Sequence, residues 1–125
     1  MKLSEALPQR RRLRASRDVQ RVYTEGQRYH GRLLTAFVRK NELPDHRLGV
    51  TASKKAIGGA VQRNRAKRLM RELFRRSTGE INGLQQSYDW VLNAKSSLLA
   101  ADLELRFKEF RNIIAQVARD ERRGV

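Results

Sequence analysis

At 125 residues the chain has the length of one domain, enough to bury about two-thirds of its unfolded surface around a single core. Its 28 lysines and arginines against 13 aspartates and glutamates leave a net charge of +15, which points to a polyanion, nucleic acid before an anionic membrane, and away from an enzyme acting on a small neutral substrate. With no cysteine, disulfides, thiol catalysis and zinc–cysteine sites are excluded, and no apolar run approaches the roughly 20 residues that span a bilayer.

Residues Met1 to Arg14 are basic and irregular, with Pro8 and the run Arg10-Arg11-Arg12. They read as a flexible arm (1–15) that either pairs with phosphate or is a solvated tail. No apolar h-region interrupts the charge, so the arm is not a secretory signal, and a cytoplasmic protein is expected. Ser16 reads as an N-cap, with Asp18 in the first turn, an apolar face of Val19, Val22 and Tyr23, and Gly26 as the stop. The period then changes to two. Leu34, Ala36 and Val38 alternate with Thr35, Phe37 and Arg39. Beyond a turn at Asn41–Asp45, Leu48, Val50 and Ala52 alternate with Gly49 and Thr51, which suggests an antiparallel hairpin. Tyr29 to Leu33 is a shorter strand ahead of it, broken by Gly31.

The cationic charge peaks between Ser53 and Arg76. Lys54 and Lys55 lead into Gly58-Gly59, and a helical pattern follows. Val61, Ala66, Leu69, Met70, Leu73 and Phe74 gather towards one side. Arg63, Lys67 and Arg71 form an i, i+4 row, with Asn64, Arg68 and Arg75 beside it, and Glu72 is the single acid. Like charges at i, i+4 cost an isolated helix a few tenths of a kcal/mol per pair, so such a surface needs a polyanionic partner. Ser77 to Ser87 reads as a loop, Tyr88 to Ala94 as a strand with Trp90 in the core, and Leu103, Phe107, Phe110, Ile114 and Val117 as the stripe of a last helix covering the sheet. Residues from Arg119 on should fray. The element order predicts an α+β domain over residues 16–120, one sheet with helices packed on it, and a frayed tail at 121–125.

No constellation supports protein-based catalysis. His30 and His46 lie in or beside turns, far apart, and read as lone exposed histidines; no acidic set has metal-ligand spacing. What is present is cation plus aromatic, the combination that binds single-stranded or irregular RNA. Tyr23 and Phe37 are the candidates. By alternation Phe37 lies on the opposite strand face from Leu34 and Ala36, either lining a groove or packing against whatever covers that face.

The run Ser53-Lys54-Lys55, a glycine turn, Ala60-Val61, Arg63-Asn64-Arg65, Lys67-Arg68, Arg71 and Phe74 resembles the signature of the bacterial ribonuclease P protein component, with a turn one residue longer than the commonest form. The similarity extends from about Ser16 to Val117. It implies the order αβββαβα with a mixed sheet and a left-handed βαβ crossover through the basic helix. It also implies a ribonucleoprotein endonuclease, one protein to one RNA, that removes the 5′ leader of precursor tRNA. In that family the RNA subunit is the catalyst and holds magnesium, and the protein alone is inactive. Carried across, Arg63, Asn64, Arg65, Lys67, Arg68 and Arg71 dock on the catalytic RNA. Tyr23, Phe37, Lys54, Lys55 and, less directly, Lys95 line the path of the leader. Val19 stands where many members carry phenylalanine, so stacking there should be weaker. The competing readings are a ribosomal-type structural RNA-binding protein, a helix-turn-helix DNA binder and a protein-only nuclease. The second lacks the upstream helix, and the third lacks a carboxylate metal site.

Overall fold

The computed structural model describes residues 7–124. Helix α1 (Ser16–Glu25) is followed by strands β1 (Gln27–His30), β2 (Leu34–Lys40) and β3 (Arg47–Thr51). Then come a single turn α2 (Lys54–Ile57), the basic helix α3 (Ala60–Arg76), a second short turn α4 (Thr78–Asn82), strand β4 (Tyr88–Ala94) and helix α5 (Leu103–Arg122). One mixed sheet runs β1-β2-β4-β3.

The expected hairpin between β2 and β3 does not form. β4 lies between them, antiparallel to β2 and parallel to β3. Periodicity assigns side chains to faces; it does not choose neighbours. The 41–46 connection is long enough to step over β4, roughly 10 Å at two strand spacings. β4 is buried on both faces through Asp89, Trp90, Val91 and Leu92, and such a strand belongs in the centre. The hairpin that does form joins β1 to β2, from Gln27↔Val38 to His30↔Thr35. Its turn is held by α5: one Glu109 carboxylate accepts from the backbone N–H groups of Arg32 (2.7 Å), Leu33 (2.8 Å) and Leu34 (3.1 Å).

One face of the sheet carries the main core. Leu34, Ala36, Val38, Leu48, Trp90 and Leu92 meet Ala66, Met70, Leu73 and Phe74 of α3 and Phe110, Ile113, Ile114 and Val117 of α5. Trp90 is fully buried between Phe74 and Phe110, ring centroids 6.0 and 6.1 Å away. Three residues expected on these stripes lie outside the core: Val61 is 79% exposed, Leu103 is 51% exposed, and Leu69 is half-buried apart from it. Helical spacing fixes the side a residue faces, not how far along the helix its neighbours extend.

The other face is covered by α1 and by the segment before it. Val22 is buried against Leu13 and Val91, with Val19, Tyr23 and Phe37 half-buried around them. Gly26 does end α1, for lack of room: a Cβ there would lie 2.6 Å from the Val22 carbonyl oxygen and 2.8 Å from that of Val38. Ser16 enters the first turn, and Ala15 takes the cap position without a side-chain hydrogen bond.

The flexible-arm reading fails for the described part, residues 7–14; Met1 to Ala6 lie outside the described residues. Gln9–Arg11 form a 3₁₀ turn, Arg12 bridges Leu48 in parallel, and the Leu13 N–H donates to the Leu48 carbonyl at 2.8 Å. This strap closes the open edge of β3 with a buried leucine, which a charge count over Arg10–Arg14 conceals. Two further expectations change. The Ser77–Ser87 loop contains α4, because Ile81 is fully buried. The tail is held as far as Arg122, because Glu121 accepts from the Gln85 and Gln86 N–H groups (2.9 and 2.8 Å) and from the Tyr88 hydroxyl (2.8 Å). Val125 lies outside the described residues.

Candidate nucleic-acid interface

Helix α3 packs by Ala66, Met70, Leu73 and Phe74, and this turns its cations outward. Asn64, Arg65, Arg68 and Arg71 are exposed; Arg63 and Lys67 are half-buried on the flanks. Arg63 is drawn back to the helix start, its Nη1 donating to the Gly58 carbonyl at 2.7 Å, where Gly58 sits at φ 110° in the turn between α2 and α3. Glu72 is clamped by Arg75 (2.7 Å) and Arg76 (2.7 Å). The Arg75 hydrogen bond, with the charge of both arginines, holds its carboxyl below the usual range against the opposing effect of burial. The one acid of α3 therefore offsets its C-terminal arginines, and the field over Arg65, Arg68 and Arg71 stays positive.

A second surface lies on the α1 face of the sheet. Tyr23 and Phe37 meet edge to face, centroids 4.8 Å apart, and both keep part of their rings in solvent. The Tyr23 hydroxyl donates to Asn93 Oδ1 at 3.0 Å, and the Thr51 hydroxyl to the same oxygen at 2.5 Å. Asn93 and Thr51 were not among the residues expected here; a polar residue two places after the apolar Val91 of β4 was the available signal. Val19 sits beside the pair as a small aliphatic side chain. Because β3 and β4 are parallel, their C-terminal ends lie at the same end of the sheet. Lys54 and Lys55, exposed on α2, and Lys95, just past β4, follow at that end. Lys95 is turned inward: its Nζ donates to the Gly31 carbonyl at 2.5 Å. Ser53 positions α2 by accepting from the Ala56 N–H at 3.0 Å.

Two buried polar networks brace the sheet. His46 is 5% exposed, correcting its reading as a lone surface histidine. Its Nδ1 accepts from the Tyr88 N–H (3.1 Å) and the Trp90 indole N–H (3.2 Å). Burial, aided by Arg11, pushes its pKa below the usual histidine value. Asp89 is buried and gripped in bidentate fashion by Arg47 at 2.8 and 2.7 Å, with Asn41 donating at 2.9 Å. Among the described residues no three acidic or histidine side chains converge on a possible metal position. Glu72, Asp89, Glu109 and Glu121 are each engaged by arginines or backbone amides.

A cationic helix on one face of a mixed sheet and a half-exposed aromatic pair on the other define a class: a small α+β protein built to hold nucleic acid. The family model described as Ribonuclease P matches residues 7–118. The ribonuclease P protein component of Coxiella burnetii is 33% identical over 113 residues, covering 90% of each chain, and that of Syntrophus aciditrophicus is 41% identical over 95 residues, 74% of this chain and 76% of its own. The ribonuclease P protein of Thermotoga maritima superposes with a TM-score of 0.72 at 28% identity, covering 84% of this chain and 96% of that one. That of Staphylococcus aureus gives 0.70 at 28% identity, covering 86% and 94%. The chain belongs to the ribonuclease P protein family and is a protein component of that ribonucleoprotein.

Proposed function

We propose that the chain docks on the catalytic RNA of ribonuclease P through α3 and holds the single-stranded 5′ leader of precursor tRNA on the Tyr23–Phe37 face, in a one-to-one complex in the cytoplasm. The observation that carries this reading is the outward row of Asn64, Arg65, Arg68 and Arg71 on a helix whose only acid is already clamped. Such a surface gains by releasing counterions from RNA, so assembly weakens steeply with salt. The aromatic pair offers a stacking platform worth about 1–3 kcal/mol per base. Lys54 and Lys55, past the C-terminal end of β3, act as phosphate partners, while Lys95 acts mainly by fixing the Gly31 turn. Magnesium belongs to the RNA subunit, which carries out phosphodiester hydrolysis; this chain supplies position and charge.

The test is cleavage of a precursor tRNA by ribonuclease P RNA at low magnesium, with and without the protein. Accurate cleavage only when both are present supports the reading. Tight RNA binding with unchanged cleavage would instead favour a structural RNA-binding role of the ribosomal type.

A further inference from the structure

Between the strap and α3, at the outer edge of β3, lies a cleft of about 470 Å³, within the roughly 300–1,000 Å³ of small-ligand sites. Its apolar lining comes from Leu48 and Val50 of β3 and from Leu7 and Leu13 of the segment before α1. Its walls are guanidinium: Arg12 and Arg14 from the strap, and Arg68, Arg71 and Arg75 from one side of α3. Glu72, the one acid on the lining among the described residues, is held by Arg75 and Arg76. Among the described residues none of the ion pairs includes Arg12, Arg14, Arg68 or Arg71. Four like charges thus line a slot whose one acid among the described residues is already engaged.

Guanidinium groups bind phosphate in bidentate fashion and stack on base planes, and an apolar lining suits the face of a base. The slot is continuous with the α3 surface, since Arg68 and Arg71 belong to both. The Tyr23–Phe37 pair sits on the sheet face covered by α1. We propose that this cleft takes one unstacked nucleotide of the catalytic RNA, its phosphate held between Arg12 and Arg14 on one side and Arg68 and Arg71 on the other, its base lying on Leu48 and Val50. The strap is then a second jaw of the RNA-docking surface. This rests on the docking role given to α3, and the test separates the two.

The chain has no cysteine, so one introduced thiol is a unique handle. Val50→Cys places it in the cleft lining and Val61→Cys on the exposed first turn of α3. Each variant is labelled with a thiol-reactive aryl azide, assembled with full-length ribonuclease P RNA and precursor tRNA, irradiated, and mapped by primer extension. The expected result is a crosslink from position 50 to one or two adjacent nucleotides of the catalytic RNA. Arg12→Ala/Arg14→Ala should reduce it at least fivefold and leave the position 61 crosslinks intact. Crosslinks from position 61 but none from position 50, or from position 50 only to precursor tRNA, overturn the cleft assignment and leave α3 docking standing. Crosslinks from neither position overturn the docking reading as well. A second measurement needs no handle. Arg12→Ala/Arg14→Ala should make the slope of log K for the catalytic RNA against log salt shallower by about 1 for each phosphate that the two arginines neutralise; an unchanged slope refutes the second jaw.

Discussion

Acidification should loosen this protein through His46. The neutral ring accepts two hydrogen bonds at Nδ1, from the Tyr88 N–H and the Trp90 indole N–H, while its other side meets the Ile81 backbone. A proton on Nδ1 abolishes both of these hydrogen bonds and leaves two donors facing a cation, one of them on a fully buried tryptophan. An unsatisfied buried donor costs about 1–3 kcal/mol, so the loss is about 2–6 kcal/mol, a large share of the roughly 5–15 kcal/mol that holds a domain together. The sign follows from linkage. Burial and the Arg11 charge lower the folded-state pKa, while Glu121 and Asp45 act in the opposite sense more weakly. The unfolded chain therefore takes up the proton first, and stability falls as pH drops below about 6.5, levelling off only under the depressed folded value. Glu25 and Glu72, whose carboxyls are lowered by arginine partners, add their own loss below about 4.5, so the window from pH 7 to 5 isolates the histidine. The assay is urea denaturation across that window for the wild type and for His46→Asn, whose amide oxygen can accept in place of Nδ1. The wild-type midpoint should fall and that of the variant stay level. Parallel curves, or a flat wild type, would refute the assignment.

Asp89→Ala leaves the half-buried Arg47 and the Asn41 amide without their acceptor and should destabilise by about 3–5 kcal/mol, read as a fall in Tm of more than about 10 °C. Asp89→Leu with Arg47→Met should recover most of it. Glu109→Ala removes the acceptor of three backbone N–H groups and should cost about 2 kcal/mol, with hydrogen exchange accelerated at Arg32, Leu33 and Leu34 before the rest of the sheet. On the functional side, Arg65→Ala should weaken binding of the catalytic RNA. Tyr23→Ala and Phe37→Ala should spare it and reduce precursor affinity about 5- to 100-fold, an effect that disappears with a leaderless substrate; equal losses with and without the leader would remove the leader role.

Strands β2, β3 and β4 and the three long helices were legible because each carries its own period, and the stop at Gly26 was written in a single residue. The first strand, expected over Tyr29 to Leu33, forms at Gln27–His30, because the Glu109 carboxylate holds residues 32–34 as the turn. The basic face of α3 was readable for the same reason: Arg63, Lys67 and Arg71 repeat at the helical interval whatever the fold around them. The strap was not legible, since Leu13 is one apolar residue among arginines and packs closely over Gly49, where an added Cβ would lie 3.1 Å from the Leu13 carbonyl oxygen. Nor was His46, whose partners Tyr88 and Trp90 are more than 40 residues away.

The sequence by itself determined the charge, the helical and strand segments, which side of each faces inward, and the family. Only the tertiary structure decided that β4 separates β2 from β3, that Tyr23 and Phe37 meet over Asn93, and that Arg12 and Arg14 stand across a cleft from Arg68 and Arg71. The division has one physical origin. Periodicity and capping act within a few residues and are encoded locally. Strand neighbours and the residues a cleft brings together are chosen by hydrogen bonds and burial between segments distant in the chain, where many pairings satisfy the same local pattern and the packed core selects among them.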